Sequence, residues 1–300
     1  MERNGVIIMK LYVIGNGFDL AHELHTSYSD YKRHIENNLK NHPNWHIILD
    51  FYPNYYNFWS DIEKNVCAFN GELFLKLKEC YGSGFLDDLL KQIRDSFQSF
   101  IYNCEKDVVK VKKRFELDDD SIFLTFNYTT VLESVYGIAE ERIMHIHNSV
   151  YNVTGNRFFN LSDVDFVLGH SAKSDEYVFY SQSKIGSDKE YIDFRNKTTK
   201  DCKKAIKEFN LDNKCLNLQL SNCLKEIVFY GFSFSPADKE YIRLLKMCFP
   251  LSSVKYIVYY HVSASETEEA TINRLKNNMI KSCLNPNEFE FRNEQGVKKI

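Results

Sequence analysis

The chain has 300 residues, of which 44% are hydrophobic and 26% are charged, and its 38 basic and 41 acidic side chains give a formal net charge of −3. These values are typical of a soluble globular protein and exclude disorder, collagen and coiled coil for the chain as a whole. The balanced charge argues against a non-specific nucleic-acid binder. No apolar run is long enough for a membrane span and no export signal is visible, so we expect a cytoplasmic protein.

The eight cysteines include no Cys-x-x-Cys pair and no cysteine–histidine group with the spacing of zinc ligands. We therefore expect buried thiols and no metal site.

The first part of the chain is interpreted as a strand followed by helices. A strand rich in β-branched residues is predicted at 6–14, and Gly15-Asn16-Gly17 ends it before a helical pattern that starts at Asp19. Residues 32–120 are expected to be a helical insertion, with helices at 58–69 and 85–111.

Strand and helix patterns alternate through the rest of the chain. Further strands are predicted at 121–126, 142–146, 165–168, 226–230, 254–260 and 288–291. Helices are predicted at 129–136, from 237 and at 266–281. Residues 171–225 are polar and are interpreted as a cap. The alternation is typical of one Rossmann-like α/β domain over residues 1–300, with a mostly parallel sheet and helices on both faces.

The residues that follow the predicted strands are suited to contact a ligand. The chain has only 12 glycines, and four of them stand directly after strands. In a parallel sheet such positions meet at one edge, where α/β proteins bind ligands. The predicted strand exits are Gly15-Asn16-Gly17, Asn127, His147, Gly169-His170 and Gly231-Phe232-Ser233.

Each exit also has a purely structural alternative. The Gly-x-Gly turn could present N–H groups to a phosphate, but Leu20 stands in place of the third glycine of the dinucleotide fingerprint. Asp19 could be an N-cap or first-turn residue, and Asn127 a turn asparagine. Ser233 and Asp238 have similar alternatives, as a turn hydroxyl and an N-cap respectively.

One histidine, His145, lies on the strand predicted at 142–146, and a second, His147, directly follows it. Either histidine could point into the ligand crevice while the other is a core histidine whose hydrogen bonds are satisfied. We therefore keep both as candidates, and His170 as a lesser one.

Five segments resemble the AbiH family of bacterial phage abortive-infection proteins. They are LYVIGNGFDLAHELHTSYSDY (11–31), FLTFNYTTVLE (123–133), HIHNS (145–149), VLGHS (167–171) and YGFSFSPADKEY (230–241). Residues 32–120 and 172–225 contribute little to the resemblance. Asn148 stands where the family usually has glycine, and Phe232 where it often has histidine.

The order of these motifs is distantly similar to the sirtuin-like fold, in which NAD lies across the strand ends. This resemblance implies that NAD is consumed as a substrate, without a permanently bound cofactor. Asn127 and His147 would then be catalytic, His147 as general base. The nucleotide would contact Gly15, Asn16, Gly17, Phe18, Asp19, His170, Gly231 and Ser233. The sirtuin zinc module is missing, which disfavours protein deacylation.

Two other classes of function stay open. One is a nucleotide-binding sensor or toxin without catalysis, whose cap passes a signal to a partner. The other is a metal-dependent nuclease, for which Asp118-Asp119-Asp120 offers carboxylates, although on the edge of the sheet where the strand begins. Among partners we expect a nucleotide ligand and no membrane or direct nucleic-acid contact, and we leave open a phage-derived trigger and a homo-oligomer.

Overall fold

A computed structural model describes residues 9–38, 78–118, 121–147, 149, 170–171, 189–190, 192–193, 199–200, 224–235, 238–262 and 266–293. The predicted helix at 58–69, the predicted strand at 165–168 and most of the predicted cap lie outside the described residues. Within the described part of the chain, no helix combines the length and apolar character needed to cross a membrane.

The described strands form two sheets and are numbered in chain order. The main sheet contains β1 (Met9–Ile14), β2 (Ile122–Thr125), β3 (Ile143–His145), β6 (Leu224–Tyr230), β7 (Lys255–Tyr260) and β8 (Phe289–Asn293). A separate two-stranded sheet pairs β4 (His170–Ser171) with β5 (Thr199–Lys200).

The helices connect and cover the strands. The α-helices are α1 (Gly17–Ala21), α2 (Tyr28–Asn37), α3 (Phe85–Val108), α4 (Val131–Ser134), α5 (Lys239–Cys248) and α6 (Glu268–Lys281). Short 3-10 helices span Glu140–Arg142 and Pro286–Glu288.

Every strand of the main sheet runs parallel to its neighbours, in the order β3-β2-β1-β6-β7-β8. The chain builds outward from β1 to β3 and then returns to place β6 on the other side of β1. The reversal point of this order therefore lies between β1 and β6, and such a point is where Rossmann-like sheets bind ligands. The predicted Rossmann-like fold is confirmed.

Alternation along the strands explains why both faces of the sheet are covered. Leu11 and Val13 pack in one core cluster together with residues of α5 and α6. Tyr12 and Ile14 pack in a second cluster that includes Phe18 of α1 and residues of α4. Because successive side chains point to opposite faces, an apolar run such as β1 needs helices on both sides.

The predicted helix that starts near Asp19 is two helices. Glu23 has a φ of 63°, a left-handed conformation that no α-helix continues through. The second helix then starts afresh at Ser27, whose hydroxyl accepts the N–H of Asp30 while the Asp30 carboxylate accepts the N–H of Ser27. This capping box fixes the start of α2.

Candidate functional site

Four strand exits meet at the carboxyl edge of the main sheet. The register aligns Ile14 at the end of β1 with Thr125 of β2 on one side and with Tyr230 of β6 on the other. Backbone hydrogen bonds continue one residue past the strands: the N–H of Gly15 donates to Tyr230 at 3.0 Å, and that of Ile146 donates to Thr125 at 3.0 Å. The residues after β1, β2, β3 and β6 are therefore held side by side.

The centre of this edge is a buried polar cluster that we call the Asp19 cluster: Asp19, Asn127 and Thr129. Asn127 donates from Nδ2 to one carboxyl oxygen of Asp19 at 2.8 Å. The hydroxyl of Thr129 donates to the other oxygen at 2.6 Å. Asp19 is only 2% exposed. The predicted first-turn position of Asp19 in α1 is correct, but its side chain joins α1 to the loop after β2 instead of capping the helix.

Burial makes the Asp19 carboxyl a weaker acid than an exposed one. Loss of solvation raises its pKa to about 7, although the hydrogen bonds from Thr129 and Asn127 act in the opposite direction. The negative charge of Glu105 adds to the increase. A carboxyl group that changes charge near neutral pH is suited to proton transfer or to electrostatic control of a site.

The second feature of the edge is a histidine–carboxylate pair. The Nδ1 atom of His145 lies 3.0 Å from the backbone oxygen of Asn127, and its Nε2 atom lies 2.7 Å from Oε1 of Glu133. The Asn127 carbonyl can only accept, so Nδ1 carries a proton. The contact between Nε2 and Glu133 then requires one more proton on either atom, and the pair holds it.

The pKa of His145 agrees with this arrangement. Burial acts to lower it, but the hydrogen bond and negative charge of Glu133 outweigh burial, so that the pKa lies above its ordinary value. His145 therefore favours the charged form and fixes the backbone of Asn127.

A carboxylate from α3 supports the same loop. Glu105 is 5% exposed and accepts the backbone N–H of Thr130 at 3.0 Å, as well as the Thr130 hydroxyl. Thr130 is the residue before α4, so Glu105 satisfies the start of the helix that carries Glu133. The long helix of the predicted insertion thus helps to position the site.

His147 lies among aromatic rings. Its ring centroid is 5.3 Å from that of Phe126, 5.6 Å from that of Tyr128 and 6.0 Å from that of Tyr241, and the residue is 3% exposed. Phe126 also contacts Phe232 of the loop after β6, at 4.9 Å. His147 therefore sits where the loops after β2, β3 and β6 meet, and its role as general base stays a prediction.

The three glycines allow two backbone loops to touch. The N–H of Gly17 donates to the carbonyl of Gly231 at 2.9 Å. Gly231 has a φ of 62°, and a Cβ atom there would lie 2.2 Å from the backbone nitrogen of Phe18. Cβ atoms on Gly15 and Gly17 would each lie 2.7 Å from backbone atoms of Gly231. Glycine at these positions is therefore required for the close packing of the loops that follow β1 and β6.

This packing uses the backbone N–H groups that were predicted to contact a phosphate. The N–H groups of Gly15 and Gly17 already donate to backbone carbonyls of the β6 segment. An anion could take these two donors only if those bonds opened. The side chain of Asn16 is bonded to Thr26 at both ends, and the ring of Phe18 is fully buried in the core. Nucleotide binding by these residues stays a prediction.

The contacts described for His170 and Ser233 are with other elements of the fold. His170 begins β4 and pairs with Thr199 in the two-stranded sheet. The predicted strand at 165–168, after which His170 is expected, lies outside the described residues, and His170 itself belongs to the separate two-stranded sheet. Ser233 is exposed, and its carbonyl accepts the side chain of Asn278 of α6 at 2.9 Å. Asp238 stands at the predicted N-cap of α5.

Sequence reasoning missed three partners of the site. Thr129 and Glu133 lie two and six residues after Asn127, so a closer reading of that helix start could have singled them out. Glu105 gave no local signal, because α3 brings it to the site from a distant segment.

The described residues contain no group of three or more His, Cys, Asp or Glu side chains arranged to hold a metal ion. Asp118, the first residue of the acidic run, accepts from Lys10 at 2.8 Å and from the Tyr12 hydroxyl at 3.2 Å. It lies where β2 begins, away from the carboxyl edge. The other two aspartates of the run lie outside the described residues.

Comparison with known proteins identifies a family. A sequence model of the family described as "Bacteriophage abortive infection AbiH" matches residues 11–83 and 76–260. The matched segments include most of β1, all of β2, β3, β6 and β7, and the three residues of the Asp19 cluster. No curated protein matches the chain.

Proposed function

The chain belongs to the AbiH family of bacteriophage abortive infection proteins, and from this premise we propose that it acts in phage defence by binding NAD or a related nucleotide and hydrolysing its nicotinamide–ribose bond. The family supports the defence role. The observation that supports this reaction is the Asp19 cluster, a buried and protonatable polar group at the carboxyl edge of a Rossmann-like sheet.

The chemistry of the proposed reaction fits the residues at this edge. Cleavage of a bond between ribose and a leaving group passes through a transition state with positive charge on the sugar. A buried carboxylate stabilises such a charge more strongly than one in water. Asp19 supplies this carboxylate above about pH 7, where its raised pKa allows it to ionise.

In this proposal Asn127 positions the substrate or the water, and His147 transfers a proton. Asn127 holds the ribose or the attacking water, since its amide is fixed beside Asp19. His147 accepts the proton of the water, which is typical of histidine as a general base near neutral pH. The ring of Tyr128, next in sequence to Asn127, contacts the ring of His147, so the two groups belong to one edge.

The direct test is incubation of the purified protein with NAD, with and without lysate of phage-infected cells, and chromatography of the products. Release of nicotinamide with formation of ADP-ribose in either condition supports the proposal. An unchanged NAD pool in both conditions would contradict it.

A sensor without catalysis is a second candidate, favoured by the closed state of the edge. His147 is 3% exposed, and the Gly17 N–H is bonded to the Gly231 carbonyl. A ligand that opened these contacts would change the surface presented to a partner. This candidate predicts saturable nucleotide binding with no release of nicotinamide over several hours.

A further inference from the structure

The amide of Asn127 is held at one end only. Its Nδ2 atom donates to Asp19 at 2.8 Å, and the residue is 5% exposed. Its Oδ1 atom is buried and accepts no hydrogen bond within the part of the chain that the structure describes. Buried side-chain acceptors are seldom left unpaired in native proteins, because an unmet acceptor destabilises the fold.

The chemistry of the neighbours fixes which end of the amide faces Asp19. The Nδ2 end of the amide faces Asp19. Above the Asp19 pKa of about 7 the carboxyl group is ionised and only accepts hydrogen bonds, so that no other orientation of the amide pairs the two groups. Thr129 donates to the second carboxyl oxygen at 2.6 Å, which holds the carboxyl group in place against Asn127. The amide oxygen is therefore directed away from Asp19.

From these contacts we infer that Asp19 and Thr129 are positioning residues, which hold the Asn127 amide so that its Oδ1 atom receives a hydroxyl group of the ligand's ribose. The inference rests on the proposed function. An amide oxygen accepts a hydroxyl hydrogen but repels phosphate oxygens, so the phosphates bind elsewhere. Within the proposed function this hydroxyl is assigned to the ribose at the reacting end. The proposed general base His147 belongs to the same edge, where its ring contacts that of Tyr128, next in sequence to Asn127.

Thr129 offers a clean test, with a matched control elsewhere in the chain. Thr129→Val keeps the shape of the side chain but removes the donor, and Thr129→Ser restores the hydroxyl. Thr271 is 1% exposed and its hydroxyl donates to Glu266 at 3.0 Å, so Thr271→Val removes a similar bond far along the chain. Circular dichroism and thermal unfolding of all the variants establish that they fold.

The measurement compares NAD with an analogue that lacks a hydroxyl group on the nicotinamide ribose. We expect wild type, Thr129→Ser and Thr271→Val to favour NAD over the analogue by about tenfold in kcat/KM, the value of one well-placed hydrogen bond. Thr129→Val should lose most of this preference. Equal preference in Thr129→Val and Thr271→Val, or no preference in the wild type, would overturn the inference and leave a bound water as the partner of Asn127.

A failure of the proposed function is distinguishable from a failure of the inference. If the wild type does not cleave NAD, the proposed reaction is wrong, and the same variants are then compared by thermal shift with ADP-ribose and its deoxyribose counterpart. Stabilisation of the wild type by ADP-ribose alone, lost in Thr129→Val, supports the positioning role. Equal shifts with both compounds, or none, would overturn it.

Discussion

Asn127 and Asp19, 108 residues apart in sequence, are joined by a buried hydrogen bond of 2.8 Å from the Asn127 Nδ2 atom. This bond connects helix α1, which follows β1, to the loop after β2 at the carboxyl edge of the sheet. Asp19 is consequently removed from water, and its pKa rises to about 7. The charge of the cluster therefore depends on pH in the physiological range.

The first prediction concerns the stability of Asp19→Asn. The unfolded chain releases the Asp19 proton near pH 4, whereas the folded protein keeps it to about pH 7. The contribution of Asp19 to stability therefore falls as pH rises from about 4 to 7 and is constant above that. Asparagine cannot ionise, and it can still accept from Asn127 and donate to the Thr129 oxygen.

We expect Asp19→Asn to be more stable than the wild type at pH 8 by on the order of 2–4 kcal/mol, and nearly equal to it at pH 4.5. Urea unfolding at both pH values measures this difference. Asp118→Asn is the control, because Asp118 is half-exposed and paired with Lys10. A loss of stability in Asp19→Asn that is the same at both pH values would refute the raised pKa.

The second prediction concerns Glu133→Gln. The pKa of His145 is raised in the folded protein, so the stability that it contributes is complete below about pH 6.5 and is lost as pH rises through the folded value. Glutamine removes the charge that raises this pKa. The variant should be less stable than the wild type by about 2 kcal/mol at pH 6 and by clearly less at pH 9.

Guanidinium unfolding of the wild type and Glu133→Gln at these two pH values tests this expectation. Glu23→Gln serves as the control, because Glu23 is exposed and its partner is Arg114. A difference between wild type and Glu133→Gln that does not change with pH would contradict the claim that Glu133 raises the pKa of His145.

The third prediction separates two glycines with similar backbone angles. Gly231 (φ 62°) would place a Cβ atom 2.2 Å from the Phe18 nitrogen, whereas Gly137 (φ 71°) has no atom within 4 Å of that position. Gly137→Ala should cost about 1–2 kcal/mol from its left-handed backbone alone. Gly231→Ala should cost at least twice as much, because two backbone segments must separate. Equal losses in chemical denaturation would contradict this packing role.

The fourth prediction concerns the pH dependence of the proposed reaction. If the ionised Asp19 carboxylate stabilises positive charge on the ribose, kcat should rise as pH increases through about 7. Asp19→Asn should be slower by about tenfold or more at pH 8 and should lose this rise. Rates of nicotinamide release between pH 5.5 and 8.5 provide the test. An unchanged profile in Asp19→Asn would assign the pH dependence to another group.

The fold could be predicted from the local pattern of apolar residues in the sequence. The apolar strands predicted at 121–126 and 254–260 agree with β2 and β7 within one residue at all four ends, because strands buried on both faces consist of nearly continuous apolar residues. The break at Glu23 was missed, since a left-handed residue other than glycine leaves no sequence signal.

The site was only partly predictable. Asn127 and Asp19 were identified because the ends of parallel strands meet at one edge. Their direct bond, and the support of Thr130 by Glu105, depend on how the loops and α3 pack, which local patterns do not encode. The ligand contact expected for Gly231 stays a prediction, whereas the structure shows that glycine is needed there for backbone packing.

The central claim is that the Asp19 cluster takes part in cleavage of NAD or a related nucleotide. The most direct measurement is the rate of nicotinamide release by the wild type, Asn127→Ala, His147→Ala and Thr271→Val, each with lysate of phage-infected cells. The account predicts turnover by the wild type and Thr271→Val, and a loss of about 10²–10⁴-fold in the other two. Full NAD cleavage by Asn127→Ala would contradict the claim for the Asp19 cluster, and full cleavage by both Asn127→Ala and His147→Ala would contradict the whole assignment.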